Sequence, residues 1–542
     1  YPAYATHFDQ PGRPKFLQPA DLPPPYRRGY RTGKWEWTGS LEVPTNLVIA
    51  HALIRDDPSW AEVGRLLDDP NPRRTIEHGF FRAAAEFVRR QTEEFDEQSL
   101  QAYRGLFAVG RLLDDKALLD DAGSRLAAFA ERGFFHDGYW RQGNDVAHRR
   151  VLGQLDGWIE RLAGDSGPSA IPMLDLAREA GAASRLEGRP AEIELASWPA
   201  PETASTARRP SLLGGVGLAR LSVGGDRDGL DLEVRAIGSL GAPHFQRQAL
   251  RLSVAGRAVL DDLDALPPTR DGWDLATASH NTVVVDGLNQ REAPSTAREP
   301  ATGGKLLYYA VDPDFQVVAL DDPLAYPRST ARYRQIVIAA AGKQSRYAVA
   351  VFQVFGGLQH DQLFHAPAGS SARWSTTTDP TPGPESLLPP SIPYLPGGQA
   401  DDGRWFVQAY GEFRRLSQGK ATAPISATLA EPGRPGVRLH VFGDMPLTTF
   451  TALSPDPSRS TSKLPSIDAE AGEGRSSLIL RRRSPAGATL RSTFVTVFEP
   501  IGDGIAPLRR VGRVGSLDGH VLLFIETVDG PEYLLVNLRP GT

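Results

Sequence analysis

ELASWPAPETASTARRP, Glu194 to Pro210, divides the sequence in two. Ahead of it, from 45 to about 185, apolar residues recur with a helical period. SLQAYRGLFAVGRLL sets Leu100, Tyr103, Leu106, Phe107 and Val109 on one stripe, and DDAGSRLAAFAERG follows with Leu126, Ala127 and Phe129. TNLVIAHALIR, IEHGFFRAAAEFVRRQ and AHRRVLGQLDGWIERLAG share the texture, and Gly133 stands where a helix should stop. Six or seven helices on short links are expected, an antiparallel helical array. Behind the divide the period becomes two. LDLEVRAI alternates from Leu230 to Ile237, and YAVAVFQV, STFVTVF, HVLLFIET and EYLLVNL carry strand vocabulary to the C-terminus. No helix is expected after 215, and TTTDPTPGPESLLPPSIPYLPGG predicts a surface loop. The fold class is therefore α+β and multidomain: a helical domain over 1–205, then a large antiparallel β domain of stacked sheets over 206–542.

Composition sets the outer limits. The chain has 542 residues, too many for one ordinary core, with 40% hydrophobic and 23% charged residues. A formal charge of −5 argues against a general nucleic-acid binder, and no apolar run reaches the length of a membrane span. There is no cysteine, which excludes disulfides, thiolate catalysis and cysteine-ligated metals while leaving the compartment open. No signal peptide opens the sequence, and YPAYATHFDQ suits a trimmed mature terminus, so a secreted or periplasmic location is expected. An excess of Arg over Lys suggests a GC-rich bacterial source.

Nucleotide-binding loops, a GxSxG elbow and HExxH are all missing. Histidines and carboxylates in unusual company remain. In PHFQRQ, His244, Gln246 and Gln248 share one face of an extended segment, with Arg247 on the other. In TASHNTVVVDGLNQ a strand needs only Thr282 to Val285 and a turn only Asp286-Gly287, so His280 and Asn281 are surplus. FFHDGYWRQGNDVAHRRV gathers His136, Asp137, Tyr139, Trp140, Arg141, Gln142 and His148 at a helix entrance. Each cluster also has an ordinary structural reading: a capped strand end, a buried histidine bonded to backbone, turn and cap residues.

Together these stretches, with VFQVFGGLQHDQLFHAP, resemble the heparinase II/III family of polysaccharide lyases over about 95–160 and 235–370. The resemblance implies an incomplete (α/α) toroid followed by a β-sandwich, and cleavage of a uronate-containing acidic glycan by β-elimination. That reaction needs a neutralised carboxylate, a base for the C5 proton and an acid for the departing O4. His244 falls on the family's catalytic histidine. Gln98, in FDEQSLQAYRGL, with His280 or Asn281, is implied as carboxylate neutraliser. Tyr139 is the tentative proton carrier, because Ala147 occupies the family's tyrosine position; Tyr103 is the other candidate.

Trp35 and Trp37 in GKWEWTGS, with Trp140 and Tyr139, are implied sugar platforms, and Arg141, Arg149, Arg247 and His148 substrate contacts. No cofactor is required. The resemblance brings a structural zinc with His280 and Asp261 or Asp262, but Gln246 replaces its remaining histidine, and an amide is a poor zinc ligand. A homodimer is the implied assembly. Two other readings stay open: a glycoside hydrolase using Asp96, Glu97 and Asp137, and a glycan-binding pseudo-lyase, which Ala147 favours.

Overall fold

The computed structural model describes residues 43, 45–89, 95, 97–141, 145–163, 210–215, 217–225, 228–236, 245–263, 272–291, 304–389, 393–395, 398–399, 405–406, 408–456, 474–485, 487–515 and 519–539. Two compact units result, 1–140 with 149–178, and 141–148 with 179–542.

Among the described residues of the first unit, helices run Thr45–Ile54, Trp60–Leu67, Pro72–Ile76, Ala83–Arg89, Glu97–Leu113 and Lys116–Arg132, with a π-helical turn at Glu77–Arg82. Asp145–Ala163 forms another helix that starts in the second unit and runs into the first. Local chemistry places the boundaries. Asn71 caps the helix of Pro72 by accepting from the Arg74 N–H at 3.1 Å, and proline at the first position loses no bond. In LLDDKA, Asp114 is left-handed and ends one long helix, while Asp115 caps the next by accepting from the N–H groups of Ala117 and Leu118. Leu100, Tyr103, Leu106 and Val109 face inward as their spacing predicts, against Leu118, Ala122, Leu126 and Phe129 on the following helix. Phe107 and Ala127, expected on the stripe, are only half-buried at its margin. Gly133 does close the helix, and for a packing reason: a Cβ there would lie 2.9 Å from the Trp140 ring and 2.8 Å from the Phe129 carbonyl.

The second unit is antiparallel throughout its paired strands. A five-stranded sheet runs in sequence order: β1 (Ser211–Leu213), β2 (Leu218–Val223), β3 (Leu230–Arg235), β4 (Leu250–Val254) and β5 (Arg257–Leu260). A six-stranded sheet orders β13 (Thr381–Pro382), β16 (Arg414–Ala421), β19 (Leu447–Ser454), β20 (Arg475–Arg483), β11 (Gln359–His365) and β6 (Val283–Val285). An eight-stranded sheet orders β12 (Arg373–Thr376), β17 (Ile425–Ala430), β18 (Gly436–Val441), β21 (Arg491–Ile501), β10 (Arg346–Gly356), β9 (Thr330–Ala341), β8 (Phe315–Asp321) and β7 (Lys305–Val311). β14 (Gly398–Gln399) pairs with β15 (Trp405–Phe406), and β22 (Arg510–Arg513), β23 (His520–Thr527) and β24 (Gly530–Asn537) form a last sheet.

Alternation sorts the strands' side chains into separate cores. Val283 and Val285 join the large central core with Ala348, Ala350, Phe352, Leu478 and Leu480. Val284, Leu363 and Ile479 point the other way, into a core closed by Trp273, Leu387, Tyr410 and Phe413. Val349, Val351, Val495 and Val497 leave the far face of the eight-stranded sheet and meet Val521, Leu523 and Ile525 of β23. Both faces of the central strands β9, β10 and β21 are covered, which is why these read as long apolar runs. Each such valine or leucine contributes about 1.5–3 kcal/mol on burial.

After residue 215 the helical elements among the described residues are the short 3-10 turns at Trp273–Leu275, Thr277–Ser279 and Ala409–Gly411. The proline-rich stretch is mostly exposed, as expected of a surface loop, but it is pinned at two points. Thr381–Pro382 pairs with β16, and Leu387 is buried in the core with Phe413. Leu387 is an anchor that composition alone disguises, while Tyr394 and Leu395 stay exposed.

Candidate active site

The hairpin after β6 forms as DG dictates. Asp286 and Gly287 both have positive φ, 54° and 71°, and the Leu288 N–H closes the turn onto the Val285 carbonyl at 3.0 Å. The Asp286 carboxylate then accepts from the N–H groups of Leu358 and Gln359, fixing β6 beside β11.

The surplus residues ahead of that strand are buried. Asn281 donates to the carbonyls of Leu250 and Asp261, both at 2.9 Å, and accepts from the His365 N–H at 2.7 Å. Both amide protons are therefore spent on main chain, and neither is left for a substrate carboxylate. The His280 Nδ1 pairs with Asp262 Oδ1. Burial alone would raise the Asp262 carboxyl, but the charges of His280, Arg251 and Arg475 outweigh it and hold the group far below the carboxylate range. His365, adjacent in the same cluster, is pushed well below the usual imidazole range by burial and then by Arg475 and His280. Its Nδ1 lies 2.8 Å from Ser477 Oγ, and its ring stacks on Phe413.

A clamp holds the segment that follows His244 in sequence. The Gln290 side chain accepts from the Arg247 N–H at 2.6 Å and donates to the Arg247 carbonyl at 2.9 Å, copying a strand's two bonds. Thr282 Oγ1 donates to the same carbonyl, and Tyr333 bonds Gln290, Thr282 and Val283. The Arg247 guanidinium is buried and paired with Asp322 at 2.8 Å, so its charge is already answered inside the protein. Asn289, the other half of the NQ pair, accepts from the Thr277 N–H at 3.0 Å.

A third polar cluster escaped the sequence reading. Arg481 grips buried Asp361 with two bonds, 2.7 and 2.9 Å, while Tyr410 donates to the same carboxylate. Burial and Asp361 push the Tyr410 hydroxyl well above its ordinary range, so it is a donor that keeps its proton.

In the helical unit the aromatic turn is a packing element. Phe134 bridges Trp140, Phe135 N–H bonds the Tyr139 carbonyl at 2.9 Å, and Asp137 accepts from the Tyr139 N–H. Tyr139 and Trp140 are fully buried, Trp140 stacks on Phe129, and Tyr103 meets Phe129 edge-on. This geometry serves the helical core, where no open face is left for sugar stacking. Arg141 is half-buried and His148 buried; His136 and Arg149 are exposed. His244, Trp35, Trp37, Asp96 and Gln142 lie outside the described residues, as do the side chains of Gln98, Glu97 and Ala147. Gln98 stands at the second position of the helix Glu97–Leu113, and Ala147 near the start of Asp145–Ala163.

The described residues do not fit a structural metal. No group of three or more His, Asp or Glu side chains converges among them. Asp262 and His280 are bonded to each other, and the neighbouring guanidinium of Arg475 opposes a second cation.

No family profile matches the sequence, and no curated protein matches it either. Solved structures do. The crystal structure of heparinase III aligns over 91% of this chain and 74% of its own, with a TM-score of 0.60 at 12% identity. This is the heparinase III fold. Heparan sulfate lyase HepC from Pedobacter heparinus aligns over 92% of this chain and 73–74% of its own in native and mutant forms, with TM-scores of 0.51 and 0.52. At such identities the likeness establishes the fold, and the chemistry rests on the residues. Among the described residues no helix is long and apolar enough to cross a membrane.

Proposed function

We propose that this chain is a polysaccharide lyase that cleaves a uronate-containing acidic glycan by β-elimination outside the cytoplasm, its helices arranged as a partial (α/α) toroid. The observation that carries the reading is the fold it shares with heparinase III along nine tenths of its length. His244 takes the C5 proton, and Gln98 offers its two amide protons to the uronate carboxylate, stabilising the charge that develops there. His280, Asn281 and Arg247 enter as framework, since His280 Nδ1, the Asn281 amide and the Arg247 guanidinium engage Asp262, main chain and Asp322. With alanine at 147, one carrier serves both proton steps. That requires the C5 proton and the O4 oxygen to lie on the same face of the sugar ring.

The test is incubation with a panel of acidic polysaccharides, following the ultraviolet absorbance of an unsaturated uronate. A signal abolished in His244→Ala, with Gln98→Ala lowering kcat by roughly 10²–10³, is the expected result. New reducing ends without that absorbance would replace elimination by hydrolysis. Ala147 favours a second reading, a pseudo-lyase, which predicts oligosaccharide binding with neither product.

A further inference from the structure

Three segments of the β unit meet at one buried guanidinium. Arg475, the first residue of β20, has no exposed surface. Its Nε donates to the Ala366 carbonyl at 2.5 Å, Nη1 to the Ser279 carbonyl at 3.1 Å, and Nη2 to the Asp261 carbonyl. Those carbonyls sit one residue from His365, His280 and Asp262 respectively. The segments that carry His365, His280 and Asp262 are thus tied to the same side chain. Asn281 reinforces two of the ties, bonding Asp261 O and the His365 N–H.

A metal ion would join such segments through their side chains, and it would need several deprotonated ligands on one point. Here one nitrogen of each imidazole is engaged otherwise, His280 Nδ1 with Asp262 and His365 Nδ1 with Ser477, and no third carboxylate or imidazole converges with them among the described residues. The guanidinium joins the segments through their main-chain carbonyls instead. It is planar, permanently charged and fork-shaped, so it reaches three acceptors at once, and its charge balances the buried carboxylate. Placing a divalent ion beside that fixed charge, away from water, is opposed by Coulomb repulsion.

We propose that Arg475 takes the place of a structural metal ion in this chain, an organic cation cross-linking the segments of Asp261, Ser279 and Ala366 so that the β unit folds without metal. The inference rests on the geometry around Arg475 and is independent of whether the protein is a lyase.

The intact purified chain is the material for the test. Elemental analysis should find no stoichiometric zinc, calcium or other divalent metal, and the thermal unfolding midpoint should be the same with and without a strong chelator. Arg475→Ala should lower that midpoint by roughly 5–10 °C. Arg475→Lys should recover only part of the loss, because an ammonium keeps the charge without the planar fork. One equivalent of bound metal whose removal lowers the wild-type midpoint would overturn the proposal. So would an Arg475→Ala protein that unfolds at the wild-type temperature. Should Arg475→Ala fail to accumulate in soluble form, the wild-type metal content and chelator response still decide between arginine and metal.

Discussion

Phe129, Phe134, Tyr139 and Trp140 occupy space beneath one turn of the helical unit, whereas Asn281, Thr282 and Gln290 of the β unit spend polar atoms on main chain. Both groups are buried, yet they stabilise by different means. The first works by shape: rings meet rings, and an apolar replacement of similar volume keeps most of the contact. The second works by satisfying specific donors and acceptors, so an apolar replacement of equal size leaves buried backbone groups bare. Density of chemistry-bearing residues therefore says little by itself. What the side chain touches, ring or main chain, decides how replaceable it is.

The largest effect should come from the most charged part of the polar framework. Arg481→Met leaves the buried Asp361 carboxylate with its Tyr410 and Gln359 donors but no counter-charge, and should cost about 3–5 kcal/mol in urea unfolding. Pairing it with Asp361→Leu should recover most of that. A loss below about 1 kcal/mol in the single variant would show that the ion pair is incidental.

The comparison itself is sharpened by two changes to apolar side chains, one at a polar site and one at an aromatic site. Asn281→Leu removes three bonds to main chain and should cost about 2–3 kcal/mol, while Trp140→Phe, which keeps an aromatic ring, should cost under about 1.5 kcal/mol. If the order is reversed, the division between shape and satisfaction fails.

The smallest expected effect is a pH dependence. The His360 Nε2 donates to the Gly356 carbonyl, and its Nδ1 lies 2.8 Å from Ser492 Oγ. Burial lowers its proton affinity below the ordinary histidine value. The unfolded chain thus binds the proton more readily, and stability is full above the ordinary pKa of about 6.5 and declines as pH falls below it. Unfolding midpoints taken from about pH 7.5 down to about pH 5 should fall less steeply in His360→Gln. Equal slopes would remove His360 from the account.

Much of the fold was legible because period reports on burial within a single element. The change from helical spacing to alternation, the DG hairpin and the spans of β10, β21, β23 and β24 all lie within one strand or turn. The polar framework was not legible, because it depends on which strands become neighbours. Asp361 faces Arg481 only because β11 pairs with β20 at that register. Nothing in LILRRRS distinguishes inward Arg481 from Arg483, whose guanidinium is exposed and bonds Gln359. His280 and Asn281 were visible as surplus, and two uses were open: holding a site together or touching substrate. Their described bonds are of the first kind. Arg475 carried no signal, since an arginine at a strand start ordinarily reads as a solvated surface group.

The order of the eight-stranded sheet has a kinetic consequence. β21 lies between β18 and β10, although the chain makes β10 long before it. On a growing polypeptide β10 therefore shows one unpaired edge of alternating Val, Ala and Phe while the intervening strands are still being synthesised. The middle of the sheet is closed late, by a strand made after β17 and β18, and β23 and β24 seal its outer face later still. Removing β21 would not trim the periphery; it would leave the middle of the sheet open and adhesive, an edge prone to aggregation.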